Sequence, residues 1–376
     1  MSGGGWDPAT AEDVVRYREI PGTGIRVSEI GFGAESLASG WWGDTGDDEA
    51  IRLLHAALDR GVTLFDTADV DGDGRVESIL GRAFRDRRDD VVYITKGGYD
   101  WMNAQPRAGG GRDAPRDFRP EYLQQALKAS LRRLGTDHID LYELHHPARR
   151  HLDDATFQAL DELVAEGLIR AYGIALSPDA RPGEGRRMMR SRRVPVLDVE
   201  LSLMQHEPGM ELAGLVHAAG TGVIARRPHC WGLLEGKYSA QTTFPPGDPR
   251  SHLTREWLDE GLRRVDALGF LSNGRHWTLA QAALKWVLTQ PGVMAAVPAI
   301  HGEEQLAEFA AAPDLPDLEP DDLTRIADLL ASGFAKAPAD AKVDGVDADA
   351  AASPETGAPH GRDHEASPPI AAGEGG

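Results

Sequence analysis

Only one cysteine, Cys230, stands among 376 residues, so no internal disulfide can form and a reducing compartment is expected. Positive charge is scarce: 40 Lys and Arg face 60 Asp and Glu, a formal charge of −20. Such a chain repels nucleic acid phosphates and anionic lipid, which removes both as partners. No apolar run is long enough to span a bilayer. The first residues, Met1-Ser2-Gly3-Gly4-Gly5-Trp6, carry neither a basic region nor an apolar stretch, so no signal peptide is read there. A cytoplasmic protein is expected. Metal-ligand spacing of the H-x-x-x-H kind is missing from every predicted helix, and no metal is expected. Aromatic residues are absent from 335–376, which is rich in Ala, Asp, Gly and Pro. That segment cannot bury enough apolar surface to offset its ordering entropy, and it reads as a disordered acidic tail.

What remains is an alternation of short β-type apolar runs and amphipathic stretches. The runs lie at 25–32, 63–65, 91–95, 139–144, 171–175, 194–203, 222–225 and 294–298, with a small hairpin expected around Pro21-Gly22-Thr23-Gly24. Helical spacing of i, i+3, i+4, i+7 links Leu123, Ala126, Leu127, Ser130, Leu131 and Leu134. Similar faces start at Ile51, Phe157 and Leu279; Gly167 caps the second, and Pro291 stops the last. About eight strands, each followed by a helix, imply parallel pairing with right-handed crossovers. An open dinucleotide-binding sheet calls for G-x-G-x-x-G after its first strand, whereas the chain reads Gly31-Phe32-Gly33-Ala34-Glu35-Ser36. A closed (β/α)8 TIM barrel fits the count and length better. The expected organisation is a flexible N-terminus over 1–16, the barrel over 17–334 and the tail over 335–376.

In such a barrel the active site forms at the C-terminal strand ends. The second run ends at Asp66, the third at Lys96 and the fourth at His145 and His146. Acid, ammonium and imidazole therefore converge on one mouth. The lysine's charge is expected to lower the pKa of the acid beside it, and a histidine there can donate a hydrogen bond to a substrate oxygen or shuttle its proton. Asp66 and Lys96 read equally well as a structural ion pair closing the mouth. His146, followed by Pro147, reads as a loop residue, and His138, His151 and His217 as surface positions. Cys230 reads as packing rather than as a nucleophile. Trp41 and Trp42 either wall a substrate pocket or pack their own loop, and 100–117, rich in Gly, Arg and Pro, is a lid or an insert.

The segment 61–81 resembles the aldo-keto reductase signature G-x-x-x-F-D-T-A-x-x-Y-G-x-x-x-x-E-x-x-L-G. Further matches are Ile94-Thr95-Lys96, Ser130-Leu131-Arg132-Arg133-Leu134-Gly135, Ile139-Asp140-Leu141-Tyr142-Glu143-Leu144-His145 and Gly232-Leu233-Leu234-Glu235-Gly236-Lys237-Tyr238. The resemblance covers nearly the whole predicted barrel. It implies reduction of a carbonyl, or oxidation of an alcohol, on a small or sugar-like substrate with a nicotinamide cofactor, NADP(H) ahead of NAD(H). Asp66, Lys96 and His145 match three members of the family's catalytic tetrad. The fourth, a proton-donating tyrosine, reads Asp71.

An aspartate is several ångströms shorter than tyrosine, and beside Lys96 it is expected to be ionised, hence a base or a water-holder. Tyr99, on the loop after Lys96, is a candidate substitute donor. For the cofactor, the resemblance implies Asp66, Arg226 as the plane stacking on nicotinamide, the loop of Pro228, Gly232, Gly236 and Lys237 around the pyrophosphate, and His301 with Gln305 near the adenosine phosphate. The family's arginine is His301 here, its paired Ser-Asn is Ala175-Leu176, and its glutamine is Asp198. Two alternatives stay open: a cofactor-binding pseudoenzyme or sensor, and a lyase or epimerase with Asp71 or His145 as base. The sequence carries no signal for oligomeric state.

Overall fold

In the computed structural model the described residues are 16–38, 46–106, 112–178, 180, 183, 194–207, 209–245 and 248–334. The tail, the N-terminal 1–15, Trp41 and Trp42 lie outside them, as does the side chain of His217. An antiparallel hairpin comes first, β1 (Tyr17–Ile20) paired with β2 (Ile25–Ser28). Then follow β3 (Phe32–Gly33), β4 (Leu64–Asp66), β5 (Val92–Gly97), the short antiparallel pair β6 (Gln105–Pro106) and β7 (Arg112–Asp113), β8 (Ile139–His145), β9 (Ile169–Ala175), β10 (Val196–Glu200), β11 (Gly222–Arg226) and β12 (Val293–Val297).

Eight of these form one parallel sheet in the order β12-β11-β10-β9-β8-β5-β4-β3. Parallel bridges Ile30↔Ala296 and Gly33↔Ala299 join its two edges and close the barrel. Closure depends on glycine: a Cβ on Gly33 would lie 2.8 Å from the Pro298 carbonyl oxygen. The run at 25–32, expected as one strand, is split between hairpin and barrel. The Ser28 hydroxyl explains the break, since it donates to the Ile30 carbonyl at 2.6 Å and accepts from the Thr63 N–H at 3.0 Å, replacing ladder bonds.

The outer helices are α1 (Asp47–Asp59), α2 (Arg75–Ala83), α3 (Pro120–Leu134), α4 (Asp154–Ala165), α5 (Gly209–Ala219), α6 (Arg255–Ala267), α7 (Leu279–Thr289), α8 (Glu303–Ala310) and α9 (Pro320–Ala331). Their ends carry local signals. Asp153 caps α4 through the Thr156 N–H, Thr278 and Gln281 form a capping box on α7, and left-handed Gly135 ends α3. No helix among the described residues is long and apolar enough to cross a membrane.

Strand alternation divides the core in two. Phe65, Tyr93, Tyr142 and Leu197 face the helices. Leu64, Ile94, Leu141, Val196, Ile224 and Ala295 fill the barrel, and Ile20, Ile25 and Val27 of the hairpin plug its floor. Counting on by two from the inward residues leads to Asp66 on β4, Lys96 on β5, Glu143 and His145 on β8, Asp198 on β10 and Arg226 on β11. Thus the parity that fills the floor with hydrocarbon crowns it with charge at the C-terminal ends.

Candidate active site

Lys96 sits at the centre of this crown. Its ammonium donates to the Asp66 carboxylate and, at 3.0 Å, to the Thr67 carbonyl. It lies 3.6 Å from Asp198 and 3.8 Å from Glu143. Asp66, Glu143 and Asp198 bring carboxylate oxygens within 4.8 Å of one another, a spacing that suits a cation, and Lys96 Nζ is the cation there. Arg226 Nη1 donates to Asp198 at 2.8 Å, and Nη2 donates to the Leu176 carbonyl. Asp198 therefore links the ammonium to the guanidinium.

Three acids around two bases leave one negative charge too many for a dry site. Glu143 absorbs the excess. Both its oxygens are buried without a hydrogen-bond partner, and burial together with Asp198 pushes its carboxyl well above the usual range. Burial also pushes Asp66 up to about 6, against the pull of Lys96. The expectation that the lysine lowers this acid is thus corrected: desolvation is the larger effect. Burial opposes the charge on Lys96, but Asp66 and then Asp198 outweigh it and hold the ammonium protonated.

His145 ends β8 beside this layer. Burial, followed by the fields of His146, Lys96 and Arg226, drives its pKa well below the ordinary value, so the ring is neutral. Its Nδ1 is buried with no partner. A proton on Nε2 leaves only a lone pair unsatisfied at Nδ1, which makes Nε2–H the donor. His145 can offer a hydrogen bond, and as a neutral ring it is no source of a full proton at neutral pH. Tyr99 stands edge-on to it, ring centroids 5.0 Å apart at 87°. The Tyr99 hydroxyl lies 3.1 Å from His146 Nδ1. His146 is thus more than a loop residue, and its backbone is left-handed at φ 55°.

Asp71 occupies a 3-10 turn, Asp71–Gly74, after β4. Its Oδ2 accepts from Thr67 Oγ1 at 3.0 Å and from the Ala68 N–H at 2.8 Å, so the carboxyl closes its own turn. Burial, with Glu35 next, pushes it up to about 7. Full ionisation was the expectation from the sequence; near neutrality the group is instead about half protonated.

Beyond β11 the backbone is left-handed at Arg227, Cys230, Trp231 and Gly232, with φ of 51°, 47°, 59° and 88°. Arg227 is held by Glu35 at 3.2 Å and by Glu200, and its guanidinium covers the Trp231 ring at 4.2 Å. Pro228, Gly232 and His301 line the same pocket with Glu35 and Arg227. Gln305 bridges the two sides: its Nε2 donates to Glu235 at 2.7 Å and its Oε1 accepts from the His301 N–H at 2.8 Å. Lys237 lies 3.9 Å from Glu235, and Gly236 turns left-handed between them. Cys230 is buried, and burial pushes its thiol up to about 12, so it packs rather than reacts.

The model of the "Aldo/keto reductase family" matches residues 29–331. The chain belongs to the aldo/keto reductase family. The aldo-keto reductase YhdN of Bacillus subtilis is 31% identical over 286 residues, covering 74% of this chain and 82% of that protein. The glycerol dehydrogenase of Gluconobacter oxydans superposes with a TM-score of 0.72 at 28% identity, over 89% of this chain and 100% of the other. An aldo/keto reductase of Klebsiella pneumoniae, in complex with NADP and acetate, gives 0.60 at 25% identity over 85% and 95%.

Among the members of the tetrad that the family resemblance names, Asp66 and Lys96 touch directly and His145 crowns the same barrel interior. Asp71 is the departure. Sequence reading missed three contributors to this reductase fold's mouth. Glu143 was reachable by counting two back from His145 along β8. Glu35 and the His146–Tyr99 contact were not, because their partners lie far away in sequence.

Proposed function

We propose that this aldo/keto reductase exchanges hydride between NADP(H) and a small carbonyl compound or alcohol, in a cytoplasmic setting in keeping with its single, buried cysteine. The carrying observation is the dry Asp66–Lys96–Asp198–Arg226 layer lying under His145. Nicotinamide supplies hydride when bound. The chain's own groups do the rest. Lys96 and Arg226 present fixed positive charge to oxygen as it gains electron density, in a site where water does not screen them. His145 donates Nε2–H to that oxygen. Asp66 anchors Lys96, and Asp198 holds Arg226 where its plane would face a bound nicotinamide.

The residues present fit a dinucleotide. The left-handed turn at 230–232 lines a pocket with Arg227, Pro228 and His301, a concave loop that would suit a phosphate. Arg227 and Lys237 flank it with positive charge. Preference for the 2′-phosphate draws on the NADP-bound relative; His301, which its surroundings and Arg250 push down to about 4, contributes neutral hydrogen bonding rather than charge. Asp71, protonated below about 7, adds negative charge beside Glu35 above it, so affinity for the anionic cofactor is expected to weaken as pH rises.

The test is absorbance-monitored oxidation of NADPH and of NADH with a panel of aldehydes and keto-sugars, alongside Lys96→Met. Turnover with NADPH that vanishes in the variant supports the reading. No turnover above the variant removes it.

A further inference from the structure

The tetrad position that should supply a proton holds an aspartate turned back on its own turn, while a tyrosine stands on the next strand's loop. We propose that Tyr99 is a catalytic residue of this protein, the group that delivers the proton to the substrate oxygen. The inference rests on the oxidoreductase reading above and deepens it.

The argument starts at Arg226. A guanidinium can only donate, and its Nη2 lies 3.5 Å from His146 Nε2. Asp198 and the Leu176 carbonyl fix it there. His146 is neutral, because burial and then Arg226 and Arg116 push its pKa to about 2. Its Nε2 therefore keeps the lone pair facing Arg226, and its single proton sits on Nδ1. Nδ1–H then donates to the Tyr99 oxygen at 3.1 Å. The phenol oxygen is the acceptor in that contact, so the hydroxyl proton is left for another acceptor.

The surroundings hold the ring where such an acceptor would be. Tyr99 is edge-on to His145, the residue whose Nε2–H is read as meeting the substrate oxygen. Tyr122 Oη donates to the Tyr99 carbonyl at 2.7 Å, and Tyr99 and Arg116 form a bridge across the loop. Arg116 donates to the His146 carbonyl at 2.9 Å and places its guanidinium 5.4 Å from the Tyr99 ring centre. The left-handed backbone of His146, costly for a residue with a Cβ, persists because this contact set holds it.

Hydride, which a bound nicotinamide would supply, would add to the carbonyl carbon, leaving the π pair on oxygen. The Tyr99 O–H bond breaks, its pair stays on the phenol oxygen, and the proton forms the new O–H of the alcohol. His146 Nδ1–H and the Arg116 guanidinium meet the charge left on Tyr99, and solvent at the rim returns the proton. In the family's arrangement, as the resemblance implies it, a lysine supports a tyrosine at position 71; here a histidine and an arginine support one at position 99.

Steady-state kinetics of Tyr99→Phe, Asp71→Asn and wild type, with NADPH binding followed by fluorescence, tests this. For Tyr99→Phe we expect kcat to fall by about 100-fold or more, a general acid's usual share. KM and NADPH affinity should stay within about threefold, and Asp71→Asn should lose less than about tenfold. An ultraviolet difference titration of wild type against Tyr99→Phe should isolate one phenol whose titration moves in His146→Gln. The proposal is overturned if Tyr99→Phe keeps kcat within about threefold, if Asp71→Asn alone abolishes turnover, or if the isolated phenol is indifferent to His146→Gln. Wild-type turnover in the same assay separates these outcomes from failure of the oxidoreductase reading itself.

Discussion

The floor and the mouth of the barrel are built by the same strands at the same parity, and they differ in almost every energetic respect. Below, Leu64, Ile94, Leu141 and Val196 meet the hairpin's Ile20, Ile25 and Val27 in a cluster of hydrocarbon side chains. Above, on the same strands, Asp66, Lys96, Glu143 and Asp198 crowd together with little water: their side chains are 12%, 5%, 0% and 0% exposed. Each floor residue adds stability by leaving water. Each mouth residue gives some up, because burying charge is unfavourable unless it is paired. A barrel that places charge in the more expensive half of its interior is using the cheaper half to support it.

The largest expected effect breaks the mouth. Lys96→Met leaves three buried acids without their shared cation. Turnover should drop by about 1,000-fold or more, and the thermal midpoint should fall more steeply at pH 8 than at pH 5, where the acids can protonate. A variant that keeps its activity would show that the layer is merely structural. The opposite change breaks the floor. Leu141→Ala should cost about 2–5 kcal/mol of unfolding free energy in denaturant melts, with kcat per folded molecule unchanged. A matching loss of kcat would mean that floor and mouth are coupled.

Two smaller effects sharpen the contrast. Glu143→Leu replaces a buried, unpartnered carboxyl by hydrocarbon and should stabilise the protein by about 1–3 kcal/mol in the same melts. Destabilisation would mean that the carboxyl is paired to Lys96 after all. Asp71 gives the finest test. Its folded pKa of about 7 lies above the ordinary 3.8, so its contribution is full below pH 3.8 and is lost as pH rises toward 7. Asp71→Asn should therefore stabilise by about 3–4 kcal/mol more at pH 8 than at pH 4. The same substitution should flatten the weakening of NADPH affinity across neutrality. A pH-independent difference would mean that the carboxyl is already ionised in the folded protein.

Much of this was legible in the chain. Short apolar runs located most of the strands, and strand ends located Asp66, Lys96 and His145. Two statements went wrong for one reason. Asp66 and Asp71 were both read against the nearest cation, while their ionisation is governed first by burial, a property of the whole barrel. The run at 25–32 misled because hydropathy does not register a hydroxyl such as Ser28 that takes over ladder bonds. Glu143 was within reach of simple counting, since parity is local. His146 was not, because its meaning comes from Arg226 and Tyr99, 80 and 47 residues away.

Local order along the chain, then, was sufficient for the fold class, the face of each strand and three of the groups that crown the interior, because alternation and turn chemistry act over a few residues. Only the closed barrel decided how far burial shifts each acid and which histidine meets Arg226 and Tyr99. Those depend on desolvation and on fields from side chains that become neighbours only when the first and last strands meet at Gly33 and Ala299.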